Sequence, residues 1–221
     1  MRTIRQSATR WFILPTSVLF SFLCFWSAAD AALVNYSFTG GVSQVSGALL
    51  PTVNVMSPVS GTFTFNNNPA TGGNYPGVVS GLTLHIGGYA ATYAPGANAV
   101  TIFKAIDLGG GTIGDRWRLA TDATGAAING YTPVRFDLDL DREGSLFANT
   151  DMQNPPSLAN LTGTRWRLIF DNGMNVVRIQ GALNNLTAVP LPAAVLLFGA
   201  GLISLVGLGA GGMRNLRGTQ A

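Results

Sequence analysis

An alternating stretch in the second half of the chain decides the fold class, and it reads Arg135-Phe136-Asp137-Leu138-Asp139-Leu140-Asp141-Arg142-Glu143. Successive side chains of a β-strand point to opposite faces of the sheet. One face of this stretch therefore carries the phenylalanine and the two leucines, and the other carries the three aspartates, Asp137, Asp139 and Asp141. Three carboxylates on one face repel one another unless positive side chains lie beside them. The stretch predicts a β-strand with cations on a neighbouring strand.

A second pattern, Gly-x-Arg-Trp-Arg-Leu-x-x-Asp, can supply those cations. It spans residues 114–122 and returns about 49 residues later at 163–171. With a period of two, Trp117 and Trp166 face away from the arginines that flank them. We expect the tryptophans to face the core and the arginine pairs to face solvent. We also expect Arg116 with Arg118, or Arg165 with Arg167, to pair with the aspartates from an adjacent strand, at about 0.2–1 kcal/mol for each cross-strand pair.

The rest of the segment from 32 to 188 consists of short alternating runs broken by turn residues. Gly87-Gly88 is placed to close a two-residue hairpin, and Pro155-Pro156 confines residues 154–160 to a turn or a short helix. Turns about every ten residues are typical of an all-β fold, and we expect an antiparallel, jelly-roll-like β-sandwich. The further predicted strands are 33–38 (ending at Gly40-Gly41), 60–65, 78–86, 89–93, 99–103 and 176–186.

The charge of the chain comes from its two ends. The formal net charge is +3, but residues 32–188 hold eight basic and nine acidic side chains, which leaves −1. The high isoelectric point is therefore not a sign of nucleic-acid binding. Cys24 is the only cysteine and lies before residue 32, so the remaining chain has no disulfide, thiol nucleophile or thiolate metal site.

The N-terminal residues read as a secretory signal peptide. Arg2, Arg5 and Arg10 precede an apolar run over 11–26, and Ala29-Asp30-Ala31 matches a small-residue cleavage pattern. We expect a signal peptide over 1–31 and a mature chain that starts at residue 32. An uncleaved N-terminal anchor is the alternative.

The C-terminal residues read as a membrane segment. No charged side chain occurs between Arg178 and Arg214, and the apolar run over about 191–208 is near the minimum of roughly 17 residues for a spanning helix. Arg214 and Arg217 follow it, and basic flanks favour the cytoplasmic side. We expect one transmembrane helix. A plain anchor and a buried core helix are the alternatives, although its glycines would each cost up to ~1 kcal/mol in a soluble helix.

The tail resembles a known sorting signal. The motif Val189-Pro190-Leu191-Pro192-Ala193, the apolar run and the basic end occur in the order of the PEP-CTERM signal of Gram-negative bacteria, with Val-Pro-Leu-Pro in place of Pro-Glu-Pro. The resemblance covers residues 189–217, and phrases such as Gly61-Thr62-Phe63 are similar to the ectodomains of this family.

That resemblance has several implications. It implies recognition and cutting by exosortase, a membrane-embedded cysteine protease, after an intermediate anchored in the inner membrane. It implies a final location at the cell surface or in the extracellular matrix of a biofilm, a β-sandwich ectodomain, and a structural or adhesive role with exopolysaccharide as a candidate partner.

Few residues are suited to catalysis. His85 is the only histidine, and alternation in 82–86 places it on an outward face. With no second histidine and no thiol after residue 31, the sequence favours neither a zinc site nor a catalytic triad. We expect no enzymatic activity, no catalytic residue and no cofactor.

The aspartates are the strongest candidates for a ligand site, because calcium binds clustered oxygens. In an EF-hand loop, however, Arg142 would stand where glycine is required and Ala148 where glutamate belongs. Ion pairing is the favoured interpretation of Asp137, Asp139 and Asp141, with calcium as the lesser one. Two other classes stay open: a carbohydrate-binding module, which predicts tryptophans or tyrosines exposed in line, and a glycoside-active enzyme, which predicts a cleft with two carboxylates.

Overall fold

The computed structural model describes residues 33–67 and 72–190. Nine β-strands make up most of that part of the chain, and its helical segments are two short 3₁₀ turns at Gly47–Leu49 and Leu158–Asn160. The strands are β1 (Leu33–Val45), β2 (Pro58–Asn66), β3 (Asn74–Pro76), β4 (Val79–Ile86), β5 (Tyr89–Asp107), β6 (Ile113–Gly125), β7 (Thr132–Glu143), β8 (Gly163–Asp171) and β9 (Val176–Val189).

The strands form one antiparallel sheet that closes on itself. Their order is β3-β5-β4-β2-β1-β9-β8-β7-β6, and β5 pairs with β6 as well. This last pairing joins the two ends of the sheet into a closed barrel of eight strands, with the short β3 added beside β5. The prediction of an all-β, antiparallel fold is confirmed.

The expected sandwich or jelly-roll arrangement is not confirmed, and the long strand β5 explains why. It pairs with β4 over residues 89–92 and with β6 over residues 91–107. Two register shifts within the β5–β6 pairing, at 93/98 and 103/106, mark irregularities at which a strand bends and twists more strongly. A long, bent strand can pair with neighbours on both sides, so the sheet closes rather than splitting into two layers.

The barrel interior is filled by side chains, as expected for eight strands. Trp117 and Trp166 are fully buried, which confirms their predicted core positions. Phe63 stacks on Tyr36 with ring centroids 5.5 Å apart, and its centroid lies 6.2 Å from that of Trp117. Full burial of one large apolar side chain stabilises a fold by about 1.5–3 kcal/mol. The alternating residues of all the main strands therefore build one continuous core.

Glycine permits close strand packing at the seam between β1 and β9. A side chain on Gly181 of β9 would collide with the backbone carbonyl of Gly41 on β1 and with the ring nitrogen of Trp166. Gly41 itself faces open space on its side-chain side. The seam depends on the absence of a side chain at residue 181.

Several predicted strand boundaries need correction. β1 does not end at Gly40-Gly41 but continues to Val45, with its register shifting after Thr39 and after Val42. The predicted strands 89–93 and 99–103 are parts of the single strand β5. The Gly87-Gly88 hairpin between β4 and β5 and the short 3₁₀ turn within 154–160 are confirmed.

The two terminal predictions lie outside the described residues. They are the signal peptide with its cleavage residues Ala29 and Ala31, and the tail from Leu191 onward with its transmembrane helix and Arg214 and Arg217. Of the sorting motif, Val189 and Pro190 are described. Within residues 33–67 and 72–190 no helix has the length and apolar character needed to span a membrane.

Candidate functional site

The strand order places the acidic strand between the two arginine-bearing strands. β7 pairs with β6 on one side and with β8 on the other. In this register Asp139 lies opposite Arg118 of β6 and opposite Arg165 of β8. The outward side chains of the three strands form what we call the ladder: Arg116, Arg118, Arg135, Asp137, Asp139, Asp141, Arg165 and Arg167.

Asp139 is at the centre of the ladder. Its carboxylate accepts a hydrogen bond of 2.6 Å from Nε of Arg118 and one of 2.7 Å from Nη2 of Arg165. Nη2 of Arg167 lies 3.6 Å from the same carboxylate. The predicted pairing is therefore confirmed, and arginines reach the aspartates from both neighbouring strands rather than from one.

The outer two aspartates are held in the same way. Asp141 accepts two hydrogen bonds from Arg116, of 2.6 and 2.8 Å, in a bidentate pair. Asp137 accepts one of 2.7 Å from Arg135 on its own strand and one of 3.1 Å from Arg167. Five arginines against three aspartates leave the ladder with a surplus of two positive charges.

The ladder carboxylates are more buried than the alternation pattern indicates. The side chain of Asp139 is 0 % exposed, although it points to the outer face of the barrel. The long arginine side chains from both neighbours lie over it and exclude water, while their own charged ends keep partial solvent contact. The expectation that the arginine pairs face solvent therefore holds only in part, because Arg116 is itself buried.

Burial and ion pairing act in opposite directions on these groups. Burial alone would raise the pKa of Asp139, but hydrogen bonds from Arg118 and Arg165 outweigh it and hold that pKa below its ordinary value. The hydrogen bond to Asp141 raises the pKa of Arg116 against the effect of burial. Burial lowers the pKa of Arg167, and its contacts with Asp137 and Asp139 do not fully compensate. Among the charges of Arg116, Asp139 and Arg167, that of Arg167 is therefore the least well compensated.

The calcium interpretation of Asp137, Asp139 and Asp141 is not supported. A hard cation needs free carboxylate oxygens, and these oxygens already accept hydrogen bonds from arginines. In the described part of the chain, no three acidic, histidine or cysteine side chains are grouped so that they could hold a metal ion.

A cleft of about 240 Å³ adjoins the ladder on the β9 side. It lies where the end of β1 meets β8 and β9, and Arg167 and Arg178 line it together with Gln44 and Ser46. Ser46 holds these elements together, because its backbone N–H and its hydroxyl both donate to the carbonyl of Arg178 at 3.0 Å. None of the described residues that line this cleft carries a carboxylate.

The other candidate residues lie apart from the ladder and the cleft. His85 is exposed on the outer face of β4, as predicted. Tyr75 and Tyr89 are buried like the two tryptophans, and burial raises the pKa of Tyr89 to about 12. Its hydroxyl donates to the carbonyl of Ala126 at 2.8 Å. These aromatic rings therefore form no exposed line for stacking on sugars.

Two features of the site were not predicted from the sequence. Asp115 is buried and accepts hydrogen bonds from the backbone N–H groups of Ala105, Leu146 and Phe147, so it fixes the loop that follows β7. The sequence places Arg178 on the last strand, but the residues next to it in the chain do not indicate that it shares a cleft with Arg167.

Comparison of the chain with protein-family models, with curated proteins and with solved structures yields no match. The fold and the ladder themselves define the class: an all-β protein built on a closed antiparallel barrel, with a network of arginine–aspartate pairs over one face.

Proposed function

We propose that this chain is an exported protein of a Gram-negative bacterium, sorted through its C-terminal tail and structural or adhesive at the cell surface or in the extracellular polysaccharide matrix. The observation that carries the proposal is the order of three features in the tail: the motif at 189–193, the apolar run to about 208, and the basic pair Arg214 and Arg217. The secretory pattern over 1–31 belongs to the same route. Exosortase and the inner membrane are the partners that this route requires.

The position of the barrel supports this route. The last strand, β9, ends at Val189, and its final pairing with β1 joins Val189 to Asn35. All nine strands of the described residues therefore precede Pro190. A cut within the motif would separate the tail from the barrel without removing a complete strand, so the released product would keep its fold.

The ladder also fits a protein that acts outside the cell. The chain after residue 31 has no cysteine for a disulfide, so its stability outside the cell rests on the packed core and on networks such as the ladder. A network of several charges contributes more than isolated surface pairs do. A durable barrel with a charged outer face suits a structural or adhesive part of a matrix.

The available chemistry favours adhesion over catalysis. The three aspartates on the ladder are each bound by arginine, and among the described residues that line the cleft beside them none offers a carboxylate to act as acid or nucleophile. The carbohydrate-binding alternative in its stacking form needs exposed aromatic rings, whereas Trp117 and Trp166 are in the core.

The test is to express the chain in a host that contains exosortase and in a host that lacks it, and to determine the C-terminus of each product by mass spectrometry. We expect a product that ends within or just after residues 189–193 in the first host, and a membrane-bound product that keeps the tail in the second. The double variant Pro190→Ala/Pro192→Ala should keep the tail in both hosts. A tail retained by the unaltered chain in both hosts would reduce it to a plain anchor and refute the sorting route.

A further inference from the structure

The cleft beside the ladder brings two arginines together from neighbouring strands. Arg178 of β9 lies opposite Ile169 of β8, and Arg167 lies opposite Gln180, the residue two positions further along β9. Diagonal neighbours of this kind have Cβ atoms roughly 7–8 Å apart or somewhat less, within reach of long side chains. The two long side chains are therefore near enough for both to line one cleft on the outer face of β8 and β9.

Arg178 has no partner for its charge within the described residues. Its backbone N–H and carbonyl are bound by Ser46, but its guanidinium forms no hydrogen bond or ion pair there. Its cross-strand neighbour Ile169 is apolar. The nearest acidic residue along the strands, Asp171, accepts a hydrogen bond of 2.7 Å from the N–H of Gly173 and forms no ion pair with Arg178. The exposed cation of Arg178 thus lies beside the cleft without a neutralising partner among the described residues.

Arg167, the second cation of the cleft, is only partly compensated by the ladder. Its Nη2 lies 3.1 Å from the carboxylate of Asp137 and 3.6 Å from that of Asp139. Asp137 also pairs with Arg135, and Asp139 also pairs with Arg118 and Arg165. The buried Nε of Arg167 has no hydrogen-bond partner in the part of the chain that the structure describes. A further negative charge above Arg167 would therefore offset part of the positive surplus of the ladder.

The remaining walls limit the type of anion. Val45, Ile169, Val176 and Val177 add apolar surface, and Gln44 adds an amide. The volume of about 240 Å³ is below the roughly 300–1,000 Å³ of sites for drug-sized ligands, so it suits a single ring with one acidic group. Guanidinium groups bind planar carboxylates through two parallel hydrogen bonds, and the C–H face of a sugar ring can lie on the apolar wall.

We propose that this cleft binds the carboxylate of an acidic sugar unit, with Arg178 as the principal cation and Arg167 as the second. The choice of a sugar as the carrier of the carboxylate rests on the matrix role proposed above, whereas the anion site rests on the geometry of the cleft alone. The same chemistry could be presented by a free uronic acid or by one residue of an acidic glycan chain.

The experiment is calorimetric titration of the exported protein with three probes: galacturonate, polygalacturonate and neutral dextran. Arg178→Gln removes the principal cation, whose guanidinium forms no hydrogen bond or ion pair with the described residues, so we expect the melting temperature of the variant to equal that of the unaltered protein. Arg142→Gln is the matched control, because it removes the same charge near the opposite end of the ladder, where Arg142 donates to the carbonyl of Asn160.

We expect binding of an acidic probe and no binding of dextran. Arg178→Gln should weaken the affinity for the acidic probe by about tenfold or more, as expected for loss of a charge-assisted contact. Arg142→Gln should weaken this affinity by less than about twofold, because Arg142 lies outside the cleft. Binding of galacturonate would identify a free acid as sufficient, and binding of polygalacturonate alone would identify a glycan chain. Absence of binding to both acidic probes, or equal weakening by the two variants, would overturn the proposal. Because this readout does not involve the tail, its failure is distinct from failure of the sorting route.

Discussion

Replacing Asp139 by asparagine tests whether the ladder stabilises the barrel. The change keeps the size of the side chain but removes the charge that holds Arg118 and Arg165, whose donors lie 2.6 and 2.7 Å from the carboxylate. Asparagine offers one oxygen where the carboxylate offers two, and its amide N–H groups would face the guanidinium groups. The variant therefore leaves a buried, unfavourable arrangement of donors on the outer face of β7.

The expected loss follows from the geometry. A hydrogen bond to a charged group contributes about 1.5–3 kcal/mol, and Asp139 accepts one short bond from each neighbouring strand. The arginines keep part of their solvation, with side chains 26 % and 42 % exposed, so the full value does not apply to both. We expect the free energy of unfolding to fall by ~2–4 kcal/mol, a large part of the roughly 5–15 kcal/mol typical of a domain.

The pH dependence gives a second, independent readout. Because the pKa of Asp139 is lower in the folded protein than its ordinary value, its contribution is present above that ordinary value of about 3.9 and is lost as the pH falls through the folded-state pKa. Urea unfolding at pH 7 should show the full difference between the unaltered protein and Asp139→Asn. Below about pH 4 the difference should shrink, because the unfolded chain then takes up a proton at Asp139 while the folded protein still holds this side chain charged.

The control for this comparison is Glu143→Gln, which removes a charge from the exposed end of the same strand. Surface changes of this kind stay within about 0.5 kcal/mol. If Asp139→Asn were as stable as Glu143→Gln at pH 7, or if its deficit persisted unchanged in acid, the ladder would not be a source of stability. Replacing Asp139, Arg118 and Arg165 together by apolar residues of similar volume should restore much of the loss, as buried ion networks often can be replaced in this way.

Three further predictions concern the core and the loops. Gly181→Ala should lower the free energy of unfolding in urea by about 3 kcal/mol or more, because the new methyl group would collide with the backbone of Gly41. Gly41→Ala should leave stability unchanged, because its methyl group would point into open space. Trp117→Phe should cost about 1 kcal/mol more in urea unfolding than Trp166→Phe, because Nε1 of Trp117 donates to a backbone carbonyl at 3.0 Å, whereas Nε1 of Trp166 has no hydrogen-bond partner among the described residues. Equal losses would contradict this. Asp115→Asn should make the loop over 144–152 sensitive to limited proteolysis, because one amide oxygen cannot accept all three backbone N–H groups that the carboxylate binds. A loop that stays uncut would show that other contacts hold it.

The ladder was predictable because a strand periodicity of two assigns each side chain to a face. Three aspartates on one face need cations, and the two Arg-Trp-Arg patterns place theirs opposite a core tryptophan. Local pattern therefore indicated the partners of Asp139. It did not indicate the depth of burial, because burial depends on how arginine side chains from two separate strands lie over the same carboxylate.

The closure of the sheet was not predictable in the same way. A sandwich and a barrel present the same alternation of inward and outward side chains along each strand, so the pattern could not distinguish them. The barrel closes through β5. The runs 89–93 and 99–103, which the pattern predicts as separate strands, belong to this one strand, whose pairing with β6 has two register shifts. Its pairing with β6 joins strands that are otherwise at opposite ends of the sheet.

The amino-acid sequence by itself determined the all-β class, the strand faces, the core tryptophans and the pairing of arginines with aspartates, because each depends on the side-chain period of an extended backbone. Only the tertiary structure decided the closed barrel, the burial of Asp139 and the meeting of Arg167 with Arg178 beside Ser46. These features join residues far apart in the chain, and the contacts that create them exist only once the sheet has curved and closed.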